Sequence, residues 1–178
     1  YANTTGYYNN ALGSGALGNN VTGYGNNAFG NQALNKNTGN HNNALGHSAL
    51  ACNVGGAYNF AVSWDALKNN KEGDFNTGIG YQSLYLANSG GHNFAGGYRT
   101  LYSNWGGYCN TAIGESALYS NTTGSNNQAI GACALHGNTT GQNNNAIGFA
   151  ALRNNTTGVD NVAIGRSPLN NNTTGSYN

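Results

Sequence analysis

Residues 110–124 read NTAIGESALYSNTTG, and close variants of this segment recur along the whole chain. Eight of the nine intervals between successive copies have the same length, about 17 residues, and the remaining interval is one residue shorter. The sequence is therefore interpreted as a single repeat array over residues 1–178, and we expect it to be a piece of a longer fibrous chain. The ten predicted coils start near Asn9, Asn26, Asn42, Asn59, Asn76, Asn93, Asn110, Asn127, Asn144 and Asn161.

The length and composition of the repeat predict an all-β fold. Seventeen residues with two glycines and an Asn-Thr-Thr corner are too few for a helix pair, whose repeats need about 33 residues. They suit one coil of a parallel β-solenoid, or β-roll, in which the Ala-apolar step and the Ala-Leu step each form a short strand. Stacked at about 4.8 Å, ten coils make a rod of roughly 45–50 Å.

Three columns of the repeat hold the same residue in all ten copies and are predicted to be structural. The first Asn can form a ladder of carboxamides along the rod, as in steric zippers. The late glycine is attributed to a turn with positive φ. The clearest ladder positions are Asn110, Asn127, Asn144 and Asn161 for the amide column, and Leu118, Leu135, Leu152 and Leu169 for the leucine column.

The two apolar columns of the first strand cannot share a face, because successive side chains of a strand point in opposite directions. We expect the large column, for example Ile113 and Ile130, to lie inside the coil. The Ala/Gly column, for example Ala112 and Ala129, would then pack against another subunit. The alternative places both columns inside a single-chain coil.

Composition excludes several functional classes. The chain has 36 Asn and 29 Gly, and only 6% of its residues are charged. Its six Lys and Arg are scattered, so no basic patch for nucleic acid is expected. The sequence contains no apolar run that approaches the length needed to cross a bilayer, about 18 residues or more, so this segment is not expected to insert into a membrane. Three cysteines cannot pair completely and do not make a disulfide framework.

No catalytic or metal site is predicted. The five carboxylates fall at five different positions of the repeat, so no pair is placed for acid/base chemistry. His92 and Cys109 share a column in adjacent coils, but two ligands do not make a zinc site. We therefore expect a protein that is not an enzyme and that needs no cofactor.

Two aromatic stripes are candidates for glycan contact. Each places a ring on three successive coils among Asn and Thr side chains, and stacking along the rod or subunit contact is the alternative role. The first stripe is Trp64, Tyr81 and Tyr98, and the second is Tyr85, Tyr102 and Tyr119.

The corners also carry the acceptor pattern for N-glycosylation, which predicts exposed, modifiable turns. Turn formation by Asn and Thr is the alternative explanation. The candidate acceptors are Asn3, Asn20, Asn121, Asn138, Asn155 and Asn172.

The repeat resembles a known pattern. The segments 110–124, 127–141, 144–158 and 161–175 are similar to the 17-residue NTAIGxxALxxNTTG repeats of bacterial surface and tail-fibre-type proteins, which are related in pattern to the head repeats of trimeric autotransporter adhesins. The resemblance implies an intertwined homotrimeric left-handed β-roll at a cell or virion surface. The adhesin head repeat is shorter than the present one, so a longer corner is expected here at Asn-Thr-Thr-Gly.

Together these observations favour a non-enzymatic structural component of an extracellular fibre or adhesin. The alternative is a glycan-binding head or tail-fibre module that uses the aromatic stripes. Copies of the chain itself are the expected partners, as a homotrimer or as a filament joined end to end, and surface carbohydrate is a further one.

Overall fold

A computed structural model describes residues 3–178 as an all-β parallel solenoid of about nine turns, with roughly 17 residues in each turn. The strands pair in chain order to form one sheet, and Ala11 lies opposite Ala28 at the start of a register that continues to Ala163. The strands are β1 (Asn10–Leu12), β2 (Asn27–Phe29), β3 (Asn43–Leu45), β4 (Phe60–Val62), β5 (Thr77–Ile79), β6 (Phe94–Gly96), β7 (Thr111–Ile113), β8 (Gln128–Ile130), β9 (Asn145–Ile147) and β10 (Val162–Ile164).

Each coil contains one strand, so the predicted second strand at the Ala-Leu step is wrong. Leu118 has φ 51° and Ser116 has φ 54°, which lie in the left-handed region rather than the β region. The segment is instead a run of tight turns, in which the N–H of Ala117 donates to Gly114 O at 3.3 Å and that of Asn121 donates to Leu118 O at 3.2 Å. The Leu118 N–H still reaches the next coil, at Ala134 O.

The two faces of the strand are reversed relative to the prediction. Ala112 and Ala129 are fully buried, whereas Ile113 and Ile130 are 41% and 36% exposed. The space behind the strand admits only a small side chain, because the Leu column fills it from the opposite wall: a Cβ added at Gly78 would lie 3.3 Å from Leu67 Cγ. The Ala/Gly column is therefore inside the coil and cannot contact another subunit, and the alternative with both columns inside is also wrong.

The two glycine columns have different causes from those predicted. The late glycine does not have positive φ, and it is required by close approach: a Cβ at Gly124 would lie 2.4 Å from both Asn121 Oδ1 and Gly141 O. The early glycine has the positive φ, as at Gly131 with φ 136°. Ser63 takes this position in one coil and keeps φ at 106°, a backbone region that a residue with a Cβ rarely adopts.

A carboxamide ladder runs along the inside of the rod. Asn127 is fully buried, and its Nδ2 donates to Asn110 Oδ1 at 3.2 Å and to Gly141 O at 2.8 Å. Its Oδ1 accepts the backbone N–H and the Nδ2 of Asn144 at 3.0 and 3.1 Å. The backbone-to-Oδ1 bond repeats without a break from Asn9 to Asn178. Buried amide pairs thus add to a hydrophobic core that is built from the Leu and Ala columns.

A second ladder, which sequence analysis missed, is formed by the corner Asn residues. Asn138 Nδ2 donates to Asn121 Oδ1 at 2.8 Å and to Gly141 O at 3.0 Å, and Asn121 repeats this toward Asn104. The fully buried Ala87 interrupts this ladder between Asn70 and Asn104. The Oδ1 of Asn70 consequently has no hydrogen-bond partner.

Ala87→Asn is expected to stabilise the chain by about 1–2 kcal/mol, because the new amide can donate to Asn70 Oδ1 and accept from Asn104 Nδ2. The measurement is the urea midpoint of the variant against the parent chain. Ala87→Leu, which adds similar volume without an amide, is the matched control and is expected to destabilise. Equal stability of Ala87→Asn and the parent would contradict the assignment of a missing rung.

Candidate functional site

The second predicted stripe is a continuous ring stack that extends one coil further than expected. Tyr85, Tyr102 and Tyr119 stack with ring centroids 5.1 Å apart and interplanar angles of 9°. His136 continues the stack at 5.3 Å from Tyr119. Burial and the neighbouring tyrosines raise the pKa of Tyr102 above its ordinary value.

The first predicted stripe is divided. Tyr81 stacks on Tyr98 at 5.5 Å, and Trp64 packs on His47 at 4.6 Å in the opposite direction along the rod. Among the described residues no ring contact joins Trp64 to Tyr81, so the indole of Trp64 has one face without an aromatic neighbour. The structure therefore does not bring the three rings together as one platform.

A third column of rings, which sequence analysis missed, is the longest of the three, and its contact between Tyr24 and His41 is edge-to-face, at 83°. Its members precede the first Asn of each coil by one or two residues, and centroids lie 4.9–5.1 Å apart from Tyr7 to His92. The signal was visible at His41, Tyr58, Phe75 and His92, which share one position of the repeat, but the single shorter coil conceals the link to Tyr24. That coil has the corner Asn37-Thr38-Gly39 where the preceding one has four residues, 20–23.

Stacking determines what the rings offer to a ligand. In the face-to-face stacks each ring covers the faces of its neighbours and leaves only its edges uncovered by them. Arg99 adds a cation over the rings of Tyr98 and Tyr102, at 5.2 and 5.8 Å. A pyranose packs on an open ring face, which leaves the ends of the stacks and unstacked indoles as the candidate contacts.

The clearest unstacked indole belongs to Trp105. It is 57% exposed and borders a cleft of about 280 Å³ that is also lined by Asn69, Lys71, Leu86 and Asn88. Lys71, Asn88 and Trp105 occupy the same position of three successive coils, where later coils have Thr. An indole face, amide groups and one ammonium group thus surround one cleft in the least regular part of the array.

The glycosylation acceptors are mostly inside the coil. Asn20, Asn121, Asn138 and Asn155 are fully buried, which corrects the expectation that every corner Asn is exposed. Asn3 is exposed and Asn172 is partly exposed. In the buried four the Nδ2 already donates to the ladder and to a glycine carbonyl, so attachment of a sugar would break both contacts.

The outward side of the ten-stranded sheet, here called the outward face, is the largest candidate surface. It has two columns of side chains, one on each side of the buried Ala/Gly column. The outer apolar column comprises Leu12, Phe29, Leu45, Val62, Ile79, Gly96, Ile113, Ile130, Ile147 and Ile164. The outer mixed column comprises Asn10, Asn27, Asn43, Phe60, Thr77, Phe94, Thr111, Gln128, Asn145 and Val162.

Over residues 3–178 no group of three or more His, Cys, Asp or Glu side chains is placed to hold a metal ion. His92 packs on Phe75, while the neighbouring Cys109 carries a free thiol. The described charged groups form one ion pair, Lys68 Nζ with Asp65 Oδ1 at 3.0 Å, and the bond to Asp65 raises the pKa of Lys68. The same residues include no helix long and apolar enough to cross a membrane.

Comparisons with protein-family models, with curated proteins and with solved structures gave no match. Function must therefore be argued from the rod, its stacks and its outward face.

His136 makes stability sensitive to acid. Burial, and then the charge of Arg153, lowers the pKa of His136 below its ordinary value near 6.5. The unfolded chain thus binds a proton more readily, and stability is expected to fall as pH drops through about 6.5 and to level off below the folded-state pKa. Urea midpoints of the parent and of His136→Phe, which keeps a ring in the stack, should diverge between pH 7 and pH 5. Parallel pH profiles would contradict this prediction.

Proposed function

We propose that this chain is a non-enzymatic structural module, a rigid rod that forms part of a fibre or adhesin at a cell or virion surface. The observation that supports the proposal is the unbroken amide ladder from Asn9 to Asn178. Each coil is tied to the next through buried side chains as well as backbone, so bending requires simultaneous loss of several hydrogen bonds. Repeat arrays of this kind act through their length and stiffness.

The composition fits a structural role rather than a catalytic one. Charged side chains are few, the formal net charge is +1, and the Asn side chains of the two ladders are used to hold coils together. The surface location and the intertwined homotrimer follow from the resemblance and remain proposals, as does growth by end-to-end contact of β1 and β10; a two-fold pair of copies is an alternative assembly to the trimer. The Ala/Gly column cannot be the trimer interface, because it is buried within each coil.

The experiment is immunogold labelling of intact source cells and of any particles they release, with an antibody raised against residues 110–178. Labelled filaments or surface projections on unpermeabilised material are expected. Small-angle scattering of the purified chain should in parallel give an elongated, rigid particle. Label that appears only after permeabilisation would contradict the proposal.

Carbohydrate binding is the second candidate, and the observation that favours it is the Trp105 cleft. The indole face can pack on a sugar ring while Asn88 and Lys71 supply hydrogen bonds. Binding of the chain to a glycan array is expected to be lost in Trp105→Ala and reduced in Trp64→Ala. Tyr102→Ala, which alters a ring covered by its neighbours, is the matched control. Binding that survives Trp105→Ala but not Tyr102→Ala would favour the stripes instead.

A further inference from the structure

The outward face exposes apolar side chains along the full length of the rod. Leu12, Leu45 and Ile164 are more than half exposed, and Phe60 and Phe94 add rings from the outer mixed column. A contiguous apolar surface of this extent is unusual on a protein that stays monomeric, and it marks an interaction site.

Charge is absent from this face. None of the eleven Lys, Arg, Asp and Glu residues lies in a strand, so all of them are off the two outer columns. Its polar side chains are partly satisfied within the chain: Asn10 Nδ2 donates to Asn27 Oδ1 at 2.8 Å, and Asn27 Nδ2 donates to Asn43 Oδ1 at 2.7 Å. Covering the face therefore leaves no ion without a counter-ion and disturbs few amide bonds.

The one gap in the outer apolar column is filled from the same coil. Gly96 has no side chain, but Phe94 leans over it, with Cε1 3.5 Å from where a Cβ at Gly96 would lie. The outer surface thus stays apolar at the only coil that lacks a branched or aromatic residue in this column.

The face repeats regularly along the rod. Successive strands pair in register from β1 to β10, with Ala or Gly opposite Ala or Gly in every pair, so both outer columns recur at about 4.8 Å. A partner that covers all ten strands must present side chains at the same spacing, as a second copy of this chain does.

We propose that the outward face packs against the outward face of a second copy of the chain. A two-fold axis relates the two copies; it runs parallel to the strands and passes between β5 and β6. This axis lays the outer apolar column of one copy along that of the other, so that β3 faces β8. A two-fold axis parallel to the rod would instead place the outer apolar column against the amides of the outer mixed column.

The arrangement also places a side chain of each copy over a cleft of the other. A cleft of about 300 Å³ on the outward face is lined by Phe29, Leu45 and Phe60 together with Asn27 and Asn43. The two-fold axis places Ile130 of the second copy over this cleft, and Leu45 of the second copy over Ile130. Because the axis is two-fold, the same contact occurs twice in the interface, once at the cleft of each copy.

The available area is sufficient for a stable pair. Ten strands of three residues give a surface of about 48 Å by about 13 Å once side-chain width is included, or roughly 1,250 Å² for two copies. That total lies at the lower end of the range of about 1,200–2,000 Å² for specific complexes. The inference concerns association of copies and holds whether or not the rod belongs to a surface fibre.

Sedimentation equilibrium of the whole chain over a range of concentrations tests this pairing. The parent is expected to sediment as a dimer of 18.3 kDa chains. Ile130→Lys and Leu45→Lys should each weaken dimerisation by about 100-fold or more, because each buries an unpaired charge. Thr123→Lys adds the same charge at an exposed corner and should not change the mass, and circular dichroism checks that each variant is folded.

The double variant Leu45→Lys/Ile130→Glu tests the orientation. The two-fold axis pairs each new lysine with a new glutamate, so dimerisation should recover relative to either single lysine variant. The highest concentration of the series should be about 100 µM or more, and a parent chain that is still monomeric there would overturn the proposal. So would a trimer whose mass is unaffected by Ile130→Lys, and failure of the folded double variant to recover would overturn the antiparallel arrangement.

Discussion

Asn127→Ala is expected to lower the free energy of unfolding by about 3–5 kcal/mol, because it removes four side-chain hydrogen bonds at a fully buried site. The lost free energy also includes the cost of leaving buried polar groups with fewer hydrogen-bond partners. The backbone N–H of Asn144 and the Oδ1 of Asn110 each lose a buried partner, and water has no access to replace it. Urea unfolding followed by circular dichroism measures the change in midpoint.

Thr123→Ala, at an exposed corner outside the outward face, is the matched control and should change stability by less than about 0.5 kcal/mol. Hydrogen exchange gives a second readout, because the Asn144 amide should exchange much faster in Asn127→Ala. Asn127→Asp keeps the shape but replaces the donor Nδ2 with a carboxylate oxygen that faces two acceptors, Asn110 Oδ1 and Gly141 O, so it should be unstable at pH 7 and partly recover in acid as the carboxyl group is protonated. An Asn127→Ala variant as stable as Thr123→Ala would show that the ladder is not a source of cohesion.

The period of the sequence was sufficient to predict the architecture. A short, Gly-rich repeat of constant spacing leaves few folds other than a parallel solenoid, and the stacking of Asn127 on Asn110 follows from any in-register stack. The register itself is determined because identical residues recur at one spacing, so that Ala112 can lie opposite Ala129 in only one way.

The orientation of the strand could not be predicted from local pattern. Alternation shows that Ala112 and Ile113 point in opposite directions, and a preference for large residues in cores then places Ile113 inside. The prediction failed because the interior is already filled by the Leu118 column and by two amide ladders, which the local pattern of one coil does not reveal. The turn at Leu118 was missed for a similar reason, since leucine is not a residue from which positive φ is expected.

The candidate surfaces were likewise only partly predictable from the sequence. Repetition of Tyr at one position identified the Tyr85 stack, but the Trp105 cleft joins residues of different types on three coils and has no repeat signal. The acceptor Asn residues show the converse error. Their Asn-x-Thr pattern is typical of exposed turns, whereas here Asn121 and Asn138 are selected by the second ladder inside the coil.

Gly131→Ala is expected to have the second large effect, a loss of about 3 kcal/mol or more, because two costs add at one position. The backbone has φ 136°, which an L side chain rarely adopts, and a Cβ there would lie 2.4 Å from Gly148 O in the next coil. Gly165→Ala separates the two costs: its φ is 123°, but a Cβ would meet no atom within 4 Å. Gly55→Ala, which has neither problem, should be neutral or slightly stabilising. The urea midpoint should therefore be highest for Gly55→Ala, lower for Gly165→Ala and lowest for Gly131→Ala. Equal losses of stability at Gly131 and Gly165 would mean that backbone strain alone, and not the close contact between coils, selects glycine in this column.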